Sequence, residues 1–201
     1  MRGLWLLWIV GGYFLGSVMF CKLIPSYFLQ KDVAELSDDH NPGAANVFVN
    51  CGIPMGLLCL LLDMLKGFLP VYLAYRTVDV HSMYFAAVIV APVLGHAVAP
   101  LNHHHGGKCI ATSFGEMLAL LPVSRIVLIL AGLYVLFSTL IKINPTRIRS
   151  IVTFALFGLA GTARSALTGQ GAIAVGCALL CVIVIARHTK YFAVVPSEAE
   201  K

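Results

Sequence analysis

The sequence predicts an all-α integral membrane protein, a bundle of seven transmembrane helices of which some are short or broken. Composition is the first reason. Of 201 residues, 59% are hydrophobic and only 11% charged, against roughly 25% charged in a soluble domain. Mean hydropathy is +0.89. The second reason is the recurrence of apolar runs approaching the ~20 residues a spanning helix needs. The third is punctuation: polar and Gly/Pro-rich segments separate those runs and hold most of the charge. A single membrane domain over 1–201 follows, with a polar tail from about 189.

The first run, Leu4 to about Ile24, reads as a retained span, because no small-residue cleavage site follows residues 2–10 and the apolar character continues. Pro25 to Asn50 reads as the longest polar loop; Asn41-Pro42-Gly43 marks a turn, and Asn46 is placed to cap a following helix or to touch a ligand. Gly52 to Tyr75 is the second span. Ser82 to Leu101 is the third, with His96 near its end. Ile110 to Leu121 is too short to cross squarely and is stopped by Pro122. Val123 to Ile143, Ser150 to Leu167 and Gln170 to Ala186 complete the count. Lys142 to Arg149 reads as a basic loop, and Thr168-Gly169 as the last turn.

Seven crossings place the termini on opposite sides. Lys22, Lys31, Lys108, Lys142, Arg147, Arg149, Arg187, Lys190 and Lys201 then share one side, and only Arg2, Arg76, Arg125 and Arg164 the other. The excess of cations marks the first side as cytoplasmic and puts the N-terminus outside. The formal net charge of +5 suits anionic lipid headgroups. It does not suggest nucleic acid, since the basic residues are scattered and not interleaved with aromatics. The six cysteines form no CxxC pair and read as small buried hydrophobes.

Gly106-Gly107-Lys108, just before a predicted helix at Ile110, outlines a phosphate cradle: glycine backbone that can approach an anion, a point charge, and a helix N-terminus. The G-x-x-x-x-G-K-[ST] spacing of a nucleotide loop is absent. Asp63 and Lys66 lie three residues apart inside a span, where they either pair as a lock or serve the site. Gly16 and Ser17 permit close helix packing. Three consecutive histidines, His103 to His105, cannot point one way, so a metal site is not expected. His188 at a helix end either meets the helix dipole or acts as a base.

Taken together, the motifs resemble the PlsY family, bacterial membrane acyltransferases that move an acyl chain from acyl phosphate to glycerol 3-phosphate. The matching pieces are Gly16-Ser17, Asn41-Pro42-Gly43-Ala44 with Asn46-Val47, and LLDMLKGFLPV from Leu61. Gly95-His96, Gly106-Gly107-Lys108, Ala111-Thr112, Phe114-Gly115 and Arg187-His188 follow in order. The resemblance implies a seven-helix bundle in the bacterial inner membrane, a site facing the cytoplasm, no cofactor and no metal. Its partners would be acyl phosphate, glycerol 3-phosphate and membrane lipid, and its product lysophosphatidic acid. Carried over to this chain, His188 and Asn46 become the catalytic candidates. Ser17, Asn41, Gly43, Lys66, His96, Gly106, Gly107, Lys108, Thr112 and Arg187 become the substrate-binding candidates.

The sequence departs from the family pattern at the motifs themselves. Asp39 stands where serine is usual, His40 where glycine, Ala45 where threonine, and Val49 where arginine. His105 and Cys109 replace the lysine and glycine flanking Gly106–Lys108, and Tyr191 replaces an asparagine. Arg147 and Arg149 are positioned to restore the charge lost at Val49. The rival reading is a catalytically degenerate paralogue that binds lipid or regulates, resting on Asp39, Val49 and Tyr191. A transporter is disfavoured, since no repeated half and no matched broken helices are visible.

Overall fold

The structure, a computed structural model, describes residues 2–190, and every regular element in it is helical. The first apolar run forms α1 (Arg2–Gly16) and α2 (Phe20–Leu29), bent by 43° at the intervening residues. The expected unbroken span is thereby corrected. Ser17 ends α1 by turning its hydroxyl onto the Phe14 carbonyl at 2.7 Å. The Val18 carbonyl then leaves the helical ladder and is met by Lys66 Nζ at 2.6 Å, which satisfies an acceptor that would otherwise be orphaned in the bundle.

The segment expected to be one long loop contains a helix, α3 (Ala44–Cys51). Gly43, in extended conformation, is its N-cap, so Asn46 sits inside the first turn and does not cap it. Gly52, at φ +85°, ends α3 in a conformation that only glycine adopts readily. α4 (Ile53–Thr77) follows at once. α5 (Tyr84–Val98) is the most enclosed of the long helices and leads through a short 3₁₀ turn, Pro100–Asn102, to the loop carrying the glycine pair.

α6 (Ile110–Ala119) is as short as expected. α7 (Ile126–Val135) extends through a π turn, Leu136–Leu140. α8 (Thr146–Leu167) begins four residues earlier than expected, so Arg147 and Arg149 lie in its first turn and not in a loop. α9 (Gly171–Lys190) closes the described chain. Among the described residues four helices can cross a bilayer by length and hydropathy, or five when the bent α1–α2 pair counts as one span. Ile126–Leu140 is a shorter apolar helix, and α6, at ~1.5 Å per residue, is too short to cross.

Close backbone approach holds these helices, as it must where lipid offers no hydrophobic contrast. A Cβ on Gly16 would overlap the Pro92 carbonyl, and one on Gly95 the Tyr13 carbonyl, so α1 crosses α5 almost backbone to backbone. Gly67 and Gly115 do the same for α4 and α6, against the carbonyls of Thr112 and Met64. Around these crossings Phe85, Ile89, Val93, Met117, Phe154, Phe157 and Leu180 are buried together. At one end of the bundle, Gln170 Nε2 ties the α8–α9 turn to the Val123 carbonyl at 2.7 Å. The polar motifs gather at the other end.

Candidate active site

Four chain segments meet at that end: the α1–α3 connection, the α5–α6 loop, the start of α8 and the end of α9. The glycine pair sits where Arg187 reaches from α9. Arg187 Nη2 donates to the Gly106 carbonyl at 2.5 Å and Nε to the Gly107 carbonyl at 3.1 Å. The Gly107 N–H donates to the His96 carbonyl at 3.2 Å.

This corrects the expected cradle. At Gly107 it is the carbonyl and the N–H that are engaged by the protein, and glycine is required there for packing. A Cβ on Gly106 would overlap the Ala97 and His96 carbonyls, and one on Gly107 the ring of His96 at Nε2. The loop thus carries its carbonyls toward a guanidinium and holds Lys108 at its rim. α6 begins at Ile110 after Cys109, which takes a left-handed conformation at φ +68°.

Lys108 is ion-paired to Asp39 Oδ2. The other Asp39 oxygen accepts from Asn46 Nδ2 at 2.9 Å and from the Asn41 N–H at 3.2 Å. Burial works to raise this carboxyl's pKa. Lys108, the Asn46 amide and the Asn41 N–H outweigh it and hold the group below its ordinary value. Asn46 Nδ2 also donates to the Asn41 carbonyl at 2.7 Å, and a Cβ on Gly43 would press on the Asn41 side-chain amide. Asn41, Gly43 and Asn46 therefore form one knot around Asp39.

His188 is buried on α9, its Nδ1 at 2.8 Å from the Val184 carbonyl. A carbonyl only accepts, so Nδ1 carries the hydrogen, and in the neutral ring Nε2 remains an acceptor. Lys108, Arg147 and Arg187 all lie within electrostatic reach of that ring. The expected compensation for Val49 therefore divides. Val49 is 82% exposed on α3, and the charge of Arg147 acts on the His188 ring. Arg149, two positions on and so on another face of α8, turns its guanidinium over the Tyr134 ring at 5.8 Å.

Two further candidates, Lys66 and Ser17, are engaged by the scaffold. Lys66 pairs with Asp63 at 2.8 Å and donates to Val18, its side chain wholly enclosed. The Cys21 thiol adds a bond to Asp63 Oδ2 at 3.1 Å. Ser17 bonds its own helix. His96 and Thr112 are buried, and neither His96 Nδ1 nor Thr112 Oγ1 has a hydrogen-bond partner among the described residues. The departure at Tyr191 lies outside the described residues.

The sequence reading passed over Glu116. It lies one turn beyond Thr112 on α6, wholly buried, with neither carboxyl oxygen in a well-formed hydrogen bond. A carboxyl within an apolar run is a signal in itself.

Comparison with known proteins adds to this geometry. A family model described as glycerol-3-phosphate acyltransferase matches residues 6–195. A glycerol-3-phosphate acyltransferase of Maridesulfovibrio salexigens is 37% identical over 121 residues, 60% of this chain and 61% of the relative. One from Hydrogenobaculum sp. is 35% identical, covering 64% of each. One from Tolumonas auensis is 34% identical over 176 residues, 88% of this chain and 81% of the relative. The matches thus span a little over three fifths of the first two relatives' length. The fold is that of crystalline PlsY, an integral membrane glycerol 3-phosphate acyltransferase. In its glycerol 3-phosphate form it superposes with a TM-score of 0.79 at 24% identity, over 94% of this chain and 90% of that one.

Proposed function

The chain belongs to the glycerol-3-phosphate acyltransferase family, and on that premise we propose that it moves a fatty acyl group from acyl phosphate to the 1-hydroxyl of glycerol 3-phosphate, giving lysophosphatidic acid. The observation that carries this reading is His188, buried with Nδ1 on the Val184 carbonyl so that Nε2 stays an acceptor, with the charges of Lys108, Arg147 and Arg187 acting on its ring. That is what two phosphate-bearing reactants and one hydroxyl proton require. The solved relatives, in glycerol 3-phosphate and lysophosphatidic acid forms, support the same pair of substrate and product.

In the proposed reaction the acceptor oxygen attacks the acyl carbonyl carbon, the carbon–oxygen bond to phosphate breaks, and phosphate leaves. An acyl phosphate is already activated, so the protein's task is to align two anions and stabilise developing charge. Lys108 and Arg147 hold the phosphates; Arg187 fixes the loop from behind. Asn46 orients a reactant through its amide. His188 Nε2 accepts the hydroxyl proton, which its bond from Nδ1 to Val184 leaves it poised to do. No covalent acyl-enzyme is needed, and no G-x-S-x-G elbow is present in the sequence.

The purified chain given palmitoyl phosphate and radiolabelled glycerol 3-phosphate should yield labelled lysophosphatidic acid; palmitoyl-CoA as donor should not. A chain that binds both substrates without turnover would be the degenerate paralogue instead. The site is proposed to face the cytoplasm. Cysteines placed at Asn102 and Lys142, with Cys51 replaced, should then resist impermeant thiol reagents in intact cells while one at Val80 reacts. Labelling of all three would overturn that orientation.

A further inference from the structure

We infer that Asp39 is an internal ligand of the anion site: its carboxylate occupies the donors that an incoming phosphoryl group needs, and every anion that binds there must first displace it. This rests on the reading of Lys108 and Asn46 as substrate-binding groups. One oxygen is ion-paired to Lys108 and the other accepts from the Asn46 amide and the Asn41 N–H. A planar carboxylate with both oxygens engaged reproduces two of the three terminal oxygens of a phosphate monoester. The position is also reversible. The Asp39 side chain is 36% exposed, it lies in the connection before α3, and its neighbours Asp38 and His40 are exposed. The carboxylate can therefore leave for water without unpacking a helix.

Displacement has a definite thermodynamic form. When the competent state is only a fraction of the population, the apparent dissociation constant of every ligand rises by the same factor. Asp39 therefore does not rank anions; it sets a threshold. Monoanionic phosphodiester headgroups surround the protein at high local concentration, and a uniform weakening leaves the site unoccupied by them. A phosphate monoester, with its additional charge and its contacts to Arg147, still enters. With a charge-assisted hydrogen bond as the unit, the factor is roughly ten- to a hundredfold.

Calorimetric titration of the purified full chain in detergent tests this with inorganic phosphate and dimethyl phosphate as probes. In Asp39→Asn and in Asp39→Ser both probes should bind roughly ten- to a hundredfold more tightly, by one common factor, and Lys108→Met should abolish both. Unchanged or weakened binding in both Asp39 variants, with Lys108 still required, would overturn the proposal and leave the anion site standing. So would a factor that differs between the probes, because it would mean that the carboxylate stays beside the ligand. Phosphate binding that does not depend on Lys108 in any form would remove the anion site itself, and this inference with it. If neither variant folds, the unsubstituted protein still decides. Saturating phosphate should expose Asp39 to carbodiimide modification, read by mass spectrometry; unchanged protection would contradict displacement.

Discussion

Replacing Lys66 with methionine takes the ammonium away from a carboxylate that has almost no water. Asp63 is 2% exposed and, among the described residues, keeps only the Cys21 thiol, at 3.1 Å. Removing one partner of a buried pair costs about 3–5 kcal/mol. The Val18 carbonyl, at the α1–α2 break, loses its donor as well, roughly another 1 kcal/mol. For a chain of this size 1 kcal/mol moves Tm by about 2–4 °C, so Lys66→Met should melt roughly 8–24 °C lower. Removing both charges is different, because the desolvation of each disappears along with their attraction. Asp63→Leu/Lys66→Met should therefore return to within about 4 °C of the parent. Thermal melts in one detergent, paired with acyl-transfer kinetics, read both quantities. A double variant as unstable as the single one would refute the lock. A stable double variant that has lost turnover would return Lys66 to the substrate-binding set, where the motif alone placed it.

The two arginines at the start of α8 should separate. Arg147→Ala should lower kcat/KM by roughly ten- to a hundredfold, the worth of one charge-assisted contact, while Arg149→Ala stays within about threefold. Equal losses would contradict their divergence. Asp39 should leave a signature in acid. Its carboxyl is held below its ordinary value in the fold, so its pairing contributes stability in full above the unfolded pKa of about 3.9. That contribution drains away as pH falls through the lower folded value. The parent should therefore lose stability on acidification below about pH 4 more steeply than Asp39→Asn; parallel curves would mean that the Lys108 pair does not bind in solution. Glu116→Gln should fold, since it keeps the volume and sheds the carboxyl, and Glu116→Met should gain about 1–3 kcal/mol by removing a polar group without a well-formed hydrogen bond. A destabilised methionine variant would show that the carboxyl has a partner.

The bundle was legible because its signals are local and additive. Run length, Pro122 as a stop and Thr168-Gly169 as a turn each act within a few residues, and the structure ends its helices close to them. What was illegible depends on contacts distant in sequence. The α1–α2 break needs Lys66 to meet the Val18 carbonyl, 48 residues away, and hydropathy cannot register that. α3 was hidden because Asn41-Pro42-Gly43 made the whole stretch read as loop, although the AANVFVNC that follows begins a helix. In the site, the sequence names residue types and does not carry the directions in which folding turns them. Gly106 and Gly107 are glycine because the His96 and Ala97 backbone and the His96 ring lie against them, a steric reason that a phosphate motif imitates. Asp39 reads in the sequence as a departure from a usual serine and as support for a degenerate paralogue, with no partner assigned to it. Its carboxylate acquires meaning when folding brings Lys108, 69 residues on, against it.

The proposed acyl transfer between two phosphate compounds depends on Lys108, Arg147 and Arg187 acting together with His188. Purified protein, palmitoyl phosphate and radiolabelled glycerol 3-phosphate test it in one vessel, with lysophosphatidic acid and inorganic phosphate measured together. The two products should appear one for one, and Lys108→Met and His188→Ala should each abolish the label in lipid while the melting profile of Lys108→Met stays close to the parent's. Labelled lipid formed undiminished by the folded Lys108→Met protein, or phosphate released without labelled lipid, would contradict it.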